Sequence, residues 1–321
     1  MRRIPLFERE LERTCVQELS DSYGPNRLFM KRDDMIPFSF GGNKARKAAE
    51  FYREIMKTDT DIVMTYGSNS SNHCRIIANM AASMGLGCHI ISPQEDGMVH
   101  NNTRLVQKSG AVIETCPVSA VAGTIENRKQ AYREQGKRPY FIEGGGHGNP
   151  GVEAYVKVYR EIEEYEREHS IRFDFIFHAS GTGATQAGLV CGQLLSGEQE
   201  RKIVGISIAR EAQRGRSVVK DSIRTYLGER FAPLYQEEQL VFTDAYRSGG
   251  YGSYTEEIAD TIDFVMQREG IPMDTTYVGK AFHGMLAYLK ENKISSRNIL
   301  FIHTGGCPIF FDRLEESRLD G

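Results

Sequence analysis

Short runs of apolar, β-branched and aromatic residues alternate along the chain with longer stretches in which apolar residues recur every three or four positions. Near-continuous apolar runs are typical of parallel strands covered on both faces, and the longer stretches are typical of amphipathic helices. The alternation predicts an α/β protein. The predicted strands are Arg27–Lys31, Asp61–Tyr66, Gly87–Ile91, Ala111–Thr115, Tyr140–Ile142, Phe173–His178, Lys202–Ile208, Leu240–Thr243 and Ile299–His303, and the predicted helices include Arg75–Met84, Val152–His169, Gln186–Leu195 and Tyr254–Glu269.

Composition narrows the function classes. The net charge of -3 provides no electrostatic basis for nucleic-acid binding, which depends on neutralising phosphates. No stretch reaches the roughly 18 consecutive apolar residues of a membrane span, and the N-terminus lacks the apolar segment of a signal peptide. The six cysteines are scattered and the eight histidines show no ligand spacing, which predicts free thiols and no metal site. We expect a cytoplasmic protein without a nucleic-acid or membrane partner.

Polar, glycine-rich segments follow several predicted strands, where ligands bind in open α/β sheets. The first candidate is Lys44, which two glycines precede at a predicted helix start. The positive end of the helix dipole and Lys47, one turn away, both predict a lowered pKa for Lys44. A neutral amine can condense with an aldehyde. A solvated basic helix start explains these residues equally well.

The segment Gly181-Thr182-Gly183-Ala184-Thr185 connects a predicted strand to a predicted helix. Such a turn presents backbone N–H groups to an anion. The spacing, Gly-x-Gly-x-x-x-x-Gly through Gly188, matches neither the dinucleotide fingerprint nor the Walker A motif. The segment therefore favours a phosphate monoester over a plain strand–helix turn.

Three further segments follow predicted strands. Gly67–His73 contains three serines and two asparagines. Capping a helix needs only one such residue. The number of serines and asparagines therefore favours recognition of a carboxylate or ring hydroxyl over helix capping alone. Thr304-Gly305-Gly306 could face a flat ligand or simply form a turn. Glu143–Gly148 contains four glycines and leaves room for a bulky or mobile group.

Six motifs in order along the chain carry a family resemblance. Together they resemble the D-cysteine desulfhydrase / 1-aminocyclopropane-1-carboxylate deaminase family, which are fold-type II pyridoxal-phosphate enzymes of the wider tryptophan synthase β group. The resemblance covers about residues 4 to 312. The motifs are Lys31-Arg32-Asp33-Asp34, Pro37-Phe38-Ser39-Phe40-Gly41-Gly42-Asn43-Lys44, Ser71-Asn72-His73, Gly181-Thr182-Gly183-Ala184-Thr185-Gln186-Ala187-Gly188, Tyr277-Val278-Gly279-Lys280 and His303-Thr304-Gly305-Gly306.

The resemblance implies two open, mostly parallel sheets covered by helices, with pyridoxal 5′-phosphate in the cleft between them. Residues 1–47 and 155–321 would form a large cofactor-binding domain, and 48–154 a smaller α/β domain. It also implies a homodimer that acts on a small amino acid.

The resemblance further implies residue roles. Lys44 would form the Schiff base with the cofactor and move the substrate Cα proton. The cofactor phosphate, ring hydroxyl and pyridine nitrogen would be contacted by Asn43, Lys47, Asn72, Gly181, Thr182, Gly183, Ala184, Thr185 and Thr304. The substrate side would be formed by Ser71, Asn72, His73, His147, Tyr251 and Tyr277, with Ser71 and the two tyrosines taking part in catalysis.

The implied reaction is β-elimination, most directly from D-cysteine to pyruvate, ammonia and sulfide. A hydroxyl, Thr304, at the pyridine nitrogen makes the ring a weaker electron sink than a carboxylate partner would, which suits loss of a Cα proton when a good leaving group departs. The alternatives are deamination of 1-aminocyclopropane-1-carboxylate and elimination or replacement on another β-substituted alanine such as cysteate. Outside catalysis, a cofactor-carrying binding protein or a nucleotide-binding regulator would use the same segments.

Some residues depart from the family pattern. The deaminase branch carries a Glu directly after the Tyr277 position and an apolar residue at the Thr304 position, so Val278 and Thr304 argue against cyclopropane ring opening. The desulfhydrase branch usually has Thr where Val278 stands. His147 replaces a serine, and we hypothesise that it is an additional acid/base or a carboxylate partner, with a merely altered loop as the alternative.

Overall fold

The computed structural model describes residues 1–94 and 99–316, and within them the chain has the predicted α/β architecture. Each apolar run named above overlaps a strand, and β-branched and aromatic residues account for about half of the strand positions. The strands are β1 (Val16–Glu18), β2 (Arg27–Lys31), β3 (Ile62–Tyr66), β4 (Gly87–Pro93), β5 (Val112–Cys116), β6 (Pro139–Ile142), β7 (Phe175–Ser180), β8 (Lys202–Ser207), β9 (Leu240–Thr243) and β10 (Asn298–Ile302).

Helices separate most of these strands. The two longest, α6 (Asn149–His169) and α8 (Ala212–Leu227), carry an apolar stripe toward a sheet and a charged face toward solvent. The α-helices are α1 (Pro5–Glu8), α2 (Asn43–Ile55), α3 (Asn72–Met84), α4 (Asn101–Lys108), α5 (Val121–Glu134), α6 (Asn149–His169), α7 (Ala184–Ser196), α8 (Ala212–Leu227), α9 (Phe231–Leu234), α10 (Glu256–Glu269), α11 (Val278–Glu291) and α12 (Cys307–Glu316).

The larger sheet has the strand order β1-β2-β10-β7-β8-β9, and its pairs are parallel except for β1 with β2. Alternate strand residues point to opposite faces, so Ile176 packs beneath α6, α7 and α8 while its neighbour Phe177 packs beneath α10 and α11. Both faces are buried. This burial explains why the strands read as continuous apolar runs.

The smaller sheet has the order β5-β4-β3-β6 and is parallel throughout. One face packs against α2 and α3, where Val63 meets Phe51, Ile55 and Ile77 in one core cluster. The carboxyl ends of both sheets face a common cleft, because segments that follow their strands line the same cavity.

The chain crosses between the two sheets along α2 and returns along α6. Residues 47 and 154, where we placed the domain boundaries, lie inside these two helices. A buried ion-pair network holds the helices to the larger sheet. Arg46 of α2 donates to Asp33 Oδ1 at 2.8 Å and to Glu161 Oε1 of α6 at 2.6 Å, and Lys31 Nζ of β2 donates to Glu161 Oε2 at 2.6 Å.

Two strand predictions differ from the structure. β1 was missed because three residues of an edge strand are too few for a periodic signal. β7 begins two residues later than predicted, because Phe173 is buried against Phe29 in the loop before the strand. The remaining strand predictions hold to within one residue at either end, except that β4 ends two residues later than predicted.

Two expectations from composition concern the fold as a whole. All six cysteines are free, as predicted. In the described part of the chain, no helix combines the length and the apolar character that crossing a membrane requires.

Candidate active site

A cavity of about 610 Å³ lies between the carboxyl ends of the two sheets. This volume is within the usual range for a small-molecule site. The cavity brings together residues that are far apart in sequence. Of the predicted site residues, it is lined by Asn43, Lys44, Ser71, Asn72, His73, His147, Gly181, Thr182, Gly183, Thr185, Tyr251, Tyr277 and Thr304.

Two predicted residues, Lys47 and Ala184, lie just behind the cavity wall. Lys47 is buried and donates from Nζ to Gly145 O at 3.3 Å. Ala184 is buried as the first residue of α7. Ala184 can therefore contribute its backbone N–H group to the cavity but no side-chain chemistry.

The start of α2 is held against the end of β10. Gly42 has φ of 91°, and a Cβ there would lie 2.5 Å from Thr304 O. Only glycine therefore fits this close approach. The backbone N–H of Asn43 donates to Thr304 O at 3.0 Å. This junction places Lys44 at the floor of the cleft between the sheets.

Lys44 is a partly buried amine whose Nζ donates to Gly145 O at 3.0 Å. Burial lowers the pKa of Lys44 to about 8, so the predicted direction is confirmed. The cause differs from the prediction, because the hydrogen bond with Lys47 raises the pKa of Lys44. Burial and the charge of Lys44 lower the pKa of Lys47 well below its ordinary value.

The N-terminus of α7 forms a cradle for an anion. Gly183, at φ of 100°, turns the chain into the helix and makes no side-chain cap. The first N–H groups of a helix have no intrahelical partner, and together with the dipole they favour negative charge. Asn43 Nδ2 donates to Thr185 Oγ1 at 3.1 Å and so ties this cradle to the helix of Lys44.

Gly188, the last glycine of the motif, has a different role. A Cβ at Gly188 would lie 2.4 Å from both Tyr155 Cβ and Val152 O of α6. This glycine allows α6 and α7 to approach closely and does not face the anion cradle.

The start of α3 forms the opposite wall. Ser71 caps the helix, with Oγ accepting from Cys74 N at 3.2 Å. Asn72 Oδ1 accepts from Asn102 Nδ2 at 2.9 Å, which leaves Asn72 Nδ2 as the donor available to the cavity. His73 Nε2 lies 2.8 Å from Thr65 Oγ1. The helix N-terminus and these donors suit a carboxylate.

The two tyrosines meet at the mouth of the cavity. Tyr251 OH lies 2.7 Å from Tyr277 OH and 3.0 Å from Ser68 Oγ. Burial raises the pKa of Tyr277 well above its ordinary value, so its hydroxyl stays protonated at neutral pH. The hydroxyl chain joins the larger sheet's tyrosines to the smaller sheet's Ser68.

His147 lines the cavity but its ring faces α8. Its Nε2 lies 3.4 Å from Ser222 Oγ, and burial lowers the pKa of His147. Ser222 Oγ donates its proton to Val218 O at 2.8 Å, so the serine oxygen is an acceptor toward His147. The ring thus has a neighbour on α8 that holds its orientation.

Several residues of the site were missed by sequence reasoning. Ser68 was inside a segment of interest but was not singled out. Arg210 follows β8 and lines the cavity, so the strand-end rule could have found it. Lys280 stands in the motif Tyr277-Val278-Gly279-Lys280, but the sequence analysis assigned it no role. Asp274 carries no sequence signal.

Asp274 and Lys280 are buried outside the cavity and hold the tyrosine segments. The Asp274 carboxylate accepts from the backbone N–H groups of Thr276, Tyr277 and Val278 at 2.9, 2.6 and 3.1 Å. Lys280 Nζ donates to the carbonyls of Gly250, Arg247 and Ile208 at 2.6, 3.0 and 3.3 Å.

The cavity therefore combines a reactive amine, an anion cradle and a carboxylate-binding helix start. These groups fit a planar aldehyde that carries a phosphate group, beside a small amino acid. The fit rests on the half-buried Lys44 amine and on the open N-terminus of α7.

Comparisons with known proteins agree with this chemistry. The model of a family described as pyridoxal-phosphate dependent enzyme matches residues 11–305. The D-cysteine desulfhydrase of Serratia proteamaculans (strain 568) is 32% identical over 310 residues, which cover 92% of this chain and 91% of that protein. A putative 1-aminocyclopropane-1-carboxylate deaminase of Pyrococcus abyssi is 29% identical over 90% of this chain and 87% of its own. The solved structure of an ACC deaminase homologue has a TM-score of 0.84 and 29% identity, covering 96% of this chain and 94% of that one.

Proposed function

Because the chain belongs to the family of pyridoxal-phosphate-dependent enzymes, we propose that it carries out β-elimination on a small amino acid, with D-cysteine as the first candidate. The cofactor is pyridoxal 5′-phosphate. The products from D-cysteine would be pyruvate, ammonia and sulfide. The similarity to D-cysteine desulfhydrases over nine-tenths of the chain supports this substrate.

One observation carries the proposal. Lys44 is a partly buried amine with a pKa of about 8, and it opens into a cavity whose wall includes the anion cradle at α7. An amine of this pKa is neutral in a substantial fraction of molecules near neutral pH and can act as a nucleophile or a base.

The residues that would hold the cofactor surround Lys44. Lys44 would bind its aldehyde carbon, and the backbone of Gly181–Thr185 with Asn43 and Lys47 would hold its phosphate. Asn72 Nδ2 would donate to the ring hydroxyl, and Thr304 would face the pyridine nitrogen. When bound, the cofactor supplies an aldehyde for the substrate amine and a ring that withdraws electrons from the substrate Cα.

The substrate would lie between α3 and the tyrosines. The N-terminus of α3, with Ser71 Oγ, would bind the substrate carboxylate. Once released, Lys44 Nζ would take the Cα proton. Tyr277 and Tyr251 would face the leaving group, where their protonated hydroxyls can donate to an anion as it departs. His73 would support this wall through Thr65, and His147 would border the phosphate side.

Deamination of 1-aminocyclopropane-1-carboxylate is the second candidate. The TM-score of 0.84 with an ACC deaminase homologue favours it. Val278 weighs against it, because this residue is a buried aliphatic side chain at the start of α11 and offers no acid or base.

The test is turnover by the purified holoenzyme. D-cysteine, L-cysteine, cysteate and 1-aminocyclopropane-1-carboxylate are supplied separately, and sulfide, pyruvate and 2-oxobutyrate are measured. Sulfide and pyruvate in equal amounts from D-cysteine are the expected result. Formation of 2-oxobutyrate alone would replace the proposal with the second candidate. Retained cofactor without any product would leave a binding protein as the better description.

The remaining features of the proposal concern the whole protein. We propose a cytoplasmic homodimer with a large domain of residues 1–47 and 155–321 and a small domain of residues 48–154. Light scattering during size-exclusion chromatography is expected to give about twice the 36.2 kDa chain mass. A monomer would contradict the dimer.

A further inference from the structure

Arg210 stands at the carboxyl end of β8, just before α8, and lines the cavity. Its guanidinium Nη1 is fully buried and has no hydrogen-bond partner among residues 1–94 and 99–316. No carboxylate in that part of the chain lies within ion-pair distance of it. A buried charged donor without an acceptor is unfavourable, because its lost hydration is not replaced.

The backbone of Arg210 is held in place, so the side chain starts from a fixed position. Ser207 Oγ donates to Arg210 O at 2.6 Å, and Ala209 N donates to Ser207 Oγ at 3.3 Å. Lys280 Nζ joins Ile208 O to Gly250 O, next to Tyr251. Lys280 therefore connects the segment just before Arg210 to the segment just before Tyr251.

The charges near Arg210 favour an anionic ligand. Arg210 is the only arginine among the described residues that line the cavity. Glu143, the carboxylate of the lining, is exposed and does not pair with it. Burial, and then the positive charge of Arg214 in the first turn of α8, lower the pKa of Arg210. A guanidinium in such a place suits a carboxylate, sulfonate or phosphate oxygen.

The position of Arg210 separates it from the carboxylate-binding wall. The start of α3 belongs to the smaller sheet, whereas Arg210 belongs to the larger sheet across the cleft. The anion cradle for the cofactor phosphate has its own donors in the N-terminus of α7, Asn43 and Lys47. An amino acid with an acidic side chain could therefore contact α3 with its α-carboxylate and Arg210 with its second acidic group.

We propose that Arg210 is a specificity residue that binds a second anionic group, a carboxylate or sulfonate, on the β-carbon of the substrate. This inference rests on the proposed function and defines its substrate class more closely. Acidic β-substituted alanines are then bound in preference to neutral ones of the same shape.

Binding of aspartate and asparagine tests the inference without any elimination. The two amino acids have the same shape and differ in side-chain charge. Both enantiomers are titrated into the holoenzyme while the cofactor absorbance is followed. We expect wild type to bind aspartate more tightly, and Arg210→Gln to reduce this preference roughly 10- to 100-fold, the worth of a charge-assisted hydrogen bond. Arg210→Lys should keep part of it.

The matched control is Arg133→Gln, which removes the same charge from an exposed position in α5 that does not line the cavity. The control should keep the aspartate preference within about twofold. Equal binding of the two amino acids by wild type would overturn the inference, as would an unchanged preference in Arg210→Gln. Loss of cofactor from Arg210→Gln but not from the control would also overturn it, because the guanidinium would then serve the cofactor phosphate.

Turnover of cysteate and D-cysteine separates this inference from the proposed function. Elimination from cysteate removes the Cα proton, breaks the C–S bond with its electron pair on sulfite, and with one water yields pyruvate and ammonium. Arg210→Gln should lower kcat/KM for cysteate roughly 10- to 100-fold more than for D-cysteine. If wild type turns over neither compound, the proposed function fails, and the aspartate titration still decides the role of Arg210.

Discussion

At the scale of single residues, burial controls the reactivity of Lys44. A lysine in water is almost fully charged at neutral pH, whereas Lys44 loses hydration inside the cleft and its pKa falls to about 8. Lys47 lies beside it, and burial together with the charge of Lys44 lowers the pKa of Lys47 as well. Two amines that share the carbonyl of Gly145 cannot both remain charged at low cost.

Lys44→Ala is expected to remove covalent attachment of the cofactor and to lower turnover by at least about a thousandfold, because both the nucleophile and the base are lost. Borohydride reduction followed by mass spectrometry measures the attachment. Lys57→Ala, at an exposed position just after α2, is the control and should keep both the covalent attachment of the cofactor and the turnover. A cofactor mass increment that persists on Lys44→Ala would contradict our assignment.

The pKa of Lys44 also predicts how the cofactor-free protein takes up pyridoxal phosphate. The neutral amine is the reactive form and its fraction rises with pH, so the association rate should increase through about pH 8 and level off above it. Stopped-flow absorbance measures the rate. A rate that keeps rising to pH 10, as an ordinary lysine would show, would contradict the lowered pKa.

Gly42 makes a second prediction at this scale. Gly42→Ala would place a Cβ 2.5 Å from Thr304 O at φ of 91°, and we expect it to lower the free energy of unfolding by more than about 2 kcal/mol. Gly123→Ala in α5 is the control, because a Cβ there meets nothing within 4 Å and should stabilise the helix by up to about 1 kcal/mol. Urea denaturation of both variants compares them, and a stable Gly42→Ala would contradict the close approach.

At the scale of elements, the start of α11 organises the tyrosine side of the cavity. Asp274 fixes the turn that carries Tyr277, and Lys280 draws three carbonyls toward the first turn of the helix. Neither side chain lines the cavity. Their effect on the chemistry passes through the position of Tyr251 and Tyr277.

Lys280→Met should keep the cofactor but lower kcat/KM roughly 10- to 100-fold, because the segment before Tyr251 loses its charged donor. Hydrogen exchange of residues 247–252 should become faster, which a change confined to the helix would not produce. Lys290→Met, exposed on the same helix, is the control and should change neither quantity. An unchanged hydrogen-exchange rate of residues 247–252 in Lys280→Met would show that these residues hold their position without the lysine.

At the scale of the whole molecule, the site depends on how the two sheets are held to each other. The crossing helices α2 and α6 are joined to β2 by the network of Lys31, Asp33, Arg46 and Glu161. Lys44 lies half a turn from Arg46 on α2. The network therefore sets the position of the reactive amine as well as the stability of the protein.

Arg46→Met should lower the free energy of unfolding by about 3–5 kcal/mol, because Asp33 is left as a buried charge with one cation fewer. Arg128→Ala, which breaks an exposed pair with Glu114, should cost at most about 1 kcal/mol. Denaturant unfolding of both variants measures the difference. Equal costs would mean that the network adds no more than a surface ion pair.

The sequence by itself determined the fold class and much of the candidate site. Near-continuous apolar runs require cover on both faces, so they predict parallel sheets. Polar segments after the strands predicted the positions of Ser71 and Thr304, because carboxyl ends of parallel strands meet at one edge. The two glycines before a helix start predicted that of Lys44. These signals are local, and a linear pattern can carry them.

The tertiary structure decided what depends on distant neighbours. Burial sets the pKa of Lys44, and only the folded chain shows how deeply the amine lies. The sequence motif included Gly188 in the anion-binding turn. In the structure, a Cβ at Gly188 would clash with Tyr155, so this glycine allows two helices to pack closely. The role of Arg210 follows from the lack of a carboxylate within ion-pair distance among residues 1–94 and 99–316. The role of Lys280 follows from three carbonyls that two separate loops contribute. Such environments are assembled in space, and for that reason spacing along the chain does not encode them.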